Sequence, residues 1–186
     1  MTRIVAGTAG GRRLAVPPKG TRPTSDRVRE ALFSALESMV DLDGARVLDL
    51  YAGSGALGFE SLSRGAATAT FVESDRRASD VLRRNAADLA LPGADVRTGT
   101  VDTVLSTGAA TPYDVVFADP PYDLTNEALH KALTVLVESG WTAPGTVVVV
   151  ERALRSGDPI WPDPLEPFRT RRYGDTALHW AEHPTP

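Results

Sequence analysis

The segment "RVLDLYAGSGALGFESLSRGA", residues 46–66, joins an apolar run to a helical pattern through a glycine-rich turn. The same strand-then-helix rhythm recurs downstream. "TATFVES" predicts a strand and "RRASDVLRRNAADLA" a helix; "ADVRTG" predicts a short strand, with a helical turn near "VDTVLS". "YDVVFAD" then predicts a strand, "TNEALHKALTVLVESG" a helix and "GTVVVVE" a strand whose valine run 147–150 is expected to be central and buried. "FRTRRYG" and "TALHWAEH" close the pattern as an antiparallel hairpin. Alternation of this kind implies an α/β fold, a mostly parallel seven-stranded sheet with helices on both faces.

Ahead of this core, "RIVAGTAGGRRLAVP" predicts a hairpin of two short strands and "PPKGTRP" a loop. Thr24 or Ser25 can cap a helix through "DRVREALFSALESM", with Val28, Leu32, Ala35, Leu36 and Met39 on its apolar face. Residues 1–24 are therefore expected to form an arm, and residues 25–186 the main domain. The arm is basic. Arg3, Arg12, Arg13, Lys19, Arg22, Arg27 and Arg29 stand against Asp26 and Glu30 within residues 1–30, a net of +5, in a chain whose total is −4. The remainder is acidic, at −9. A basic arm on an acidic body is a candidate phosphate-binding surface, and equally a solvated N-terminus.

At 186 residues and 42% hydrophobic content the chain can bury one core. It has no cysteine, which excludes disulfides, thiolate zinc sites and a cysteine nucleophile. His130, His179 and His183 show no ligand spacing, so no metal is expected. Trp141, Trp161 and Trp180 are expected to pack rather than to stack on a base. No apolar stretch approaches a membrane span and no signal peptide is evident, so a cytoplasmic monomer without membrane attachment is the expectation.

In open parallel sheets ligands bind beyond the carboxyl ends of the strands, near the switch point. Asp49, Glu73 and Asp119 end the first, second and fourth predicted strands of the core, so three carboxylates should share one edge. Gly53-Ser54-Gly55-Ala56-Leu57-Gly58 fits the dinucleotide pattern G-x-G-x-x-G, and Glu73 lies where a ribose-binding acid belongs. Asp49, four residues before Gly53, fits a pyrophosphate poorly. It suits S-adenosylmethionine, whose ammonium and sulfonium are cations and whose ribose still offers two hydroxyls.

After the fourth core strand stands "ADPPYD". Two prolines cannot continue a strand, and they stiffen the turn that follows. Asp119-Pro120-Pro121-Tyr122 resembles the signature of methyltransferases that act on exocyclic amines of nucleobases. The residue types suit that chemistry. An aryl amine is a weak nucleophile, and the Asp119 carboxylate and Pro120 carbonyl could accept its hydrogens and aim its lone pair at a methyl group. Tyr122 could stack on a base withdrawn from its helix. Such transfer needs neither metal nor covalent enzyme intermediate.

"RIVAGTAGGRRL", "RPTSDRVREALF", "LDLYAGSGALGFESLSRGA" and "DPPY" together resemble the bacterial RsmD family across almost the whole chain. That resemblance implies a Rossmann-like class I methyltransferase fold with an N-terminal β-hairpin and helix. It implies transfer of a methyl group from S-adenosyl-L-methionine to the N2 amine of a guanine in small-subunit (16S) ribosomal RNA, with a small-subunit particle as the expected setting. It assigns Asp119, Pro120, Pro121 and Tyr122 to the target amine, Asp49, Gly53 and Gly55 to the methionyl part and Glu73 to the ribose. Thr24 and Arg27 would close over the cofactor, Arg27 facing its carboxylate. Tyr51, Ser54, Ser74, Thr100 and Val101 complete the implied cofactor contacts, with Thr100, Val101 and Asp102 all candidates for the adenine. Arg3, Arg12, Arg13, Lys19 and Arg22 are the expected RNA contacts. Competing readings are an amine methyltransferase for adenine N6 or cytosine N4 in RNA or DNA, and a non-catalytic RNA-binding assembly factor. A dehydrogenase leaves Asp-Pro-Pro-Tyr unexplained.

Overall fold

The computed structural model describes residues 2–18 and 24–186. After the arm strands β1 (Thr2–Arg3) and β2 (Arg13–Leu14) and helix α1 (Asp26–Glu37), strand and helix alternate as expected. The order is β3 (Arg46–Leu50), α2 (Ala56–Ser63), β4 (Thr68–Glu73), α3 (Arg76–Leu89), β5 (Ala94–Thr98), α4 (Val101–Ser106), β6 (Val115–Ala118), α5 (Asn126–Glu138), β7 (Val147–Ala153), β8 (Glu166–Tyr173) and β9 (Thr176–Glu182). The main sheet has seven strands in the order β5-β4-β3-β6-β7-β9-β8. Strands β3 to β7 are parallel, and β9 joins β7 antiparallel. The chain winds outward from β3 to β5 and returns to the other side of β3 as β6. The switch point of the sheet therefore lies between β3 and β6.

The side-chain period of a strand explains the two cores. In β6, Val115 and Phe117 join a cluster with Phe33, Phe59, Phe71 and Trp180 under α1, α2 and α3. Val116 and Ala118 point the other way, to Leu105, Leu133, Leu136 and Trp141 beneath α4 and α5. Both faces of the sheet are covered, so Val147–Val150 can be uninterrupted valine and fully inside. Trp141 and Trp180 are core residues, and Trp161 packs on the second cluster. Among the described residues no helix is long and apolar enough to cross a membrane.

The N-terminal region forms the expected hairpin and cap, and differs in the buried face of its helix. The arm hairpin pairs Thr2 with Leu14 and Arg3 with Arg13, and Ile4 extends it by donating to the Arg12 carbonyl at 2.9 Å and accepting from Gly11 N–H at 2.7 Å. Beyond Ile4 the backbone also bonds to α2. The N–H groups of Val5 and Ala6 donate to the Glu60 carboxylate at 2.8 and 3.1 Å, and Thr8 N–H donates to the Ser63 carbonyl at 2.8 Å. In α1, Ser25 rather than Thr24 is the cap, accepting from Val28 N–H. The buried face of that helix is Arg29, Leu32, Phe33 and Leu36; Val28, Ala35 and Met39 are only partly covered. An arginine thus takes an inward position that apolar periodicity gives to other residues. It is tolerated because the acids of Glu60 and Asp26 lie 3.6 and 2.7 Å from it.

Candidate active site

Three clefts open at the carboxyl ends of the parallel strands, and Asp119 lines all three. It stands one residue beyond β6, where the prolines stop the ladder. Strand β3 runs through Leu50, so Asp49 lies within it and is 2% exposed. Glu73 ends β4. The three carboxylates expected at one edge are there.

The first cleft lies over the glycine turn and is lined by Asp49, Tyr51, Gly53, Ser54, Thr24 and Val16. Gly55 opens α2 at φ 82°, a left-handed conformation in which a Cβ would lie 2.6 Å from Leu82 and Phe59 side-chain atoms. Gly58 lets α2 close onto Phe71: a Cβ there would come within 2.2 Å of its ring. Helix α2 has no side-chain cap; instead, Gly58 N–H donates to Asp49 at 3.0 Å. A carboxylate already sits at the helix N-terminus, where a pyrophosphate would have to bind, which disfavours a dinucleotide. Burial, opposed by the Gly58 hydrogen bond and reinforced by Glu73, pushes the Asp49 carboxyl up to about 8. No cation is paired with it among the described residues. A cationic ligand would supply what the site lacks.

The second cleft, about 270 Å³, is lined by Tyr51, Glu73, Ser74, Thr100, Val101 and Asp102, among others. Both Glu73 oxygens are oriented by the backbone, accepting from Gly53 N–H and Asp75 N–H at 2.8 Å each. Thr100 caps α4 by accepting from Thr103 N–H. Thr100, Val101 and Asp102 all line the cleft, so the structure brings all three candidates for an adenine contact to it.

The third cleft is the largest, about 450 Å³, and is lined by Asp119, Pro120, Pro121 and Tyr122 together with Glu151 and Arg155. Tyr122 is 70% exposed, and the Arg155 guanidinium lies 5.2 Å from its ring centre. Burial pushes the Asp119 carboxyl well above its ordinary value, and the charges of Glu151 and Asp49 push in the same direction. Arg152, buried beneath, donates to the Leu124 carbonyl at 2.6 Å and to Asn126 Oδ1 at 3.0 Å, which ties the Asp-Pro-Pro-Tyr turn to β7.

Glu151, Arg152 and Arg155 belong to no motif, and sequence reasoning misses them. A signal exists all the same: "VVFAD" and "VVVVE" are parallel neighbours whose register pairs Ala118 with Val150, so the two acids emerge side by side. Other expected residues lie elsewhere. Arg27 is exposed and lines none of the three clefts. Arg3 pairs with Asp26 at 2.8 Å, and Arg12 donates to the Asp88 carbonyl at 2.7 Å. Asp88 is in the last turn of α3, which starts beside Glu73 and runs back across the sheet, so Arg12 sits at the end away from the clefts. Arg13 is exposed; Lys19 and Arg22 lie outside the described residues.

The family described as conserved hypothetical protein 95 matches residues 2–182. Ribosomal RNA small subunit methyltransferase D of Escherichia coli K12 is 40% identical over 176 residues, 94% of this chain and 86% of that protein. The solved structure of a putative methyltransferase from Escherichia coli, yhhF, has a TM-score of 0.87 at 38% identity and covers 98% of each chain. An RNA methyltransferase from Salinibacter ruber, solved in complex with S-adenosyl-L-homocysteine, shares the fold with a TM-score of 0.66 at 20% identity, over 89% of this chain and 95% of that one. The chain belongs to the conserved hypothetical protein 95 family, the RsmD family that its N-terminal block, glycine turn and Asp-Pro-Pro-Tyr sequence resemble.

Proposed function

We propose that the protein transfers a methyl group from S-adenosylmethionine to the N2 amine of a guanine in small-subunit ribosomal RNA. The observation that carries this reading is the position of Asp119 at the meeting of three clefts, with a relative named as a small-subunit ribosomal RNA methyltransferase matching most of the chain. Residues 25–186 serve as the methyltransferase domain, and residues 1–24 as an arm.

S-adenosylmethionine supplies the electrophilic methyl group. Asp49 offers its uncompensated carboxylate to the methionyl cation, and Glu73, held by two backbone N–H groups, keeps lone pairs for the ribose hydroxyls. In the largest cleft Asp119 and the Pro120 carbonyl accept hydrogen bonds from the target amine, and Tyr122 stacks on its base. The cofactor would supply its methyl carbon to the amine nitrogen, and its sulfur would keep the electron pair of the carbon–sulfur bond. The proton shed by the methylated amine passes to Asp119, whose carboxyl is already disposed to hold one. Catalysis then rests on positioning and electrostatics. Arg152 acts through the loop it anchors. The intact set of acids at the switch point favours an enzyme over a non-catalytic assembly factor. The test is to incubate the protein and labelled S-adenosylmethionine with small-subunit RNA and particles lacking the modification, then map the product. N2-methylguanine at a single position is expected; no incorporation, or methylation of adenine or cytosine, would overturn the reading.

A further inference from the structure

We infer that Glu151 is the residue that reads guanine in the largest cleft, accepting the N1–H beside the amine that Asp119 holds. The inference rests on the guanine-methyltransferase reading and adds the source of its base selectivity. Guanine presents two adjacent donors on its Watson–Crick edge, N1–H and the N2 amine. Adenine and cytosine present a ring-nitrogen lone pair beside their amine. A pocket that reads this N1–N2 side of guanine therefore needs two acceptors side by side.

The sheet builds such a pair. Ala118 and Val150 are register partners on neighbouring parallel strands, so Asp119 and Glu151 leave those strands together, roughly one strand spacing of 4.8 Å apart. Both line the same cleft, with Tyr122 as its exposed aromatic wall. Thr24 Oγ donates to Glu151 Oε2 at 2.7 Å, which fixes the carboxyl group and opposes the burial that raises its proton affinity. No described residue donates a hydrogen bond to Oε1. Thr24 also lines the cleft over the glycine turn, so one hydroxyl spans the cofactor and base sides of the site. A lone pair placed against Glu151 would meet a carboxylate oxygen, and the repulsion would reject the wrong base.

The test uses 2-aminopurine, which keeps the N2 amine, carries a lone pair at N1 and lacks O6, so the comparison of wild type with Glu151→Gln isolates the N1 contact. Small-subunit RNA is prepared with either guanine or 2-aminopurine at the mapped target, and single-turnover methyl transfer is measured. Wild-type protein should transfer to 2-aminopurine about 100-fold or more slowly than to guanine, as expected when a built hydrogen-bond site meets an analogue lacking the donor. Glu151→Gln can turn its amide donor toward N1. It should lose rate on guanine while holding or gaining rate on 2-aminopurine, so that the preference collapses to within about tenfold. S-adenosylmethionine binding, measured by calorimetry on the same variant, should stay at the wild-type value and report an intact fold. A wild-type enzyme indifferent to the N1 change overturns the assignment without using any variant. A Glu151→Gln protein that keeps the full preference overturns it as well. If wild-type protein methylates no guanine at all, the guanine-methyltransferase reading itself fails and the assignment falls with it.

Discussion

Two places in this molecule bury acidic side chains, and they do so in opposite ways. Beneath the arm, Glu60 is fully buried and fully answered. It accepts from two backbone N–H groups and from Arg64 Nε at 2.9 Å, with the buried Arg29 at 3.6 Å. At the switch point, Asp49 has one backbone N–H, Glu151 one hydroxyl, and no arginine or lysine is salt-bridged to Asp49, Asp119 or Glu151 among the described residues. A buried charge that is satisfied fastens the arm to the core. Buried charges left short of partners raise their own proton affinity and wait for a cation or a donor. The first arrangement is structural and the second is a binding site.

Breaking the satisfied side should cost the most. Glu60→Ala leaves buried Arg29 with Asp26 alone and frees the N–H groups of Val5 and Ala6, and should destabilise the protein by about 3–5 kcal/mol in denaturant titration. A loss under about 1 kcal/mol would show that the arm is not held this way. On the unsatisfied side, Asp119→Ala should preserve S-adenosylmethionine binding by calorimetry and reduce methyl transfer by about 100- to 1,000-fold. Its folded stability should not fall, since the substitution removes a poorly solvated charge.

Asp49 sharpens the comparison through pH. Its folded carboxyl lies at about 8, above the ordinary value of 3.8. Between those values the folded protein holds a proton that the unfolded chain has released. The contribution of this group is therefore full at low pH and is lost as pH rises toward 8, by up to about 1.4 kcal/mol per unit. Asp49→Asn should flatten that part of the stability profile in the ligand-free protein. Cofactor binding should show the reverse slope, strengthening with pH up to about 8 because the cation needs the carboxylate, and Asn at this position should abolish that rise.

The smallest effect concerns the surface arginines. Arg12 is engaged at the far end of α3, whereas the turn between β8 and β9 contributes Asp175, and the start of β9 Thr176, to the largest cleft, with Arg171 and Arg172 exposed just before them. Replacing Arg171 and Arg172 by Ala should reduce the salt dependence of RNA binding by about 0.7 for each phosphate no longer neutralised. The Arg12→Ala/Arg13→Ala pair should change it less. The opposite ranking would return the RNA grip to the arm.

The sequence by itself determined what depends on local period and local geometry. Strand–helix alternation set the parallel sheet, the glycines set the turn into α2, and acids at strand ends marked Asp49, Glu73 and Asp119 as neighbours. Only the tertiary structure decided what depends on which distant residue lies alongside. Glu151 became part of the site because β7 pairs with β6 in a register that aligns their ends. Arg29 turned inward because Glu60, far along the chain, is buried opposite it, and Arg12 is held at the end of α3 by the Asp88 carbonyl. Periodicity records which face of an element avoids water. It carries no record of the partner that face will meet, because that partner is chosen by the packing of the whole sheet.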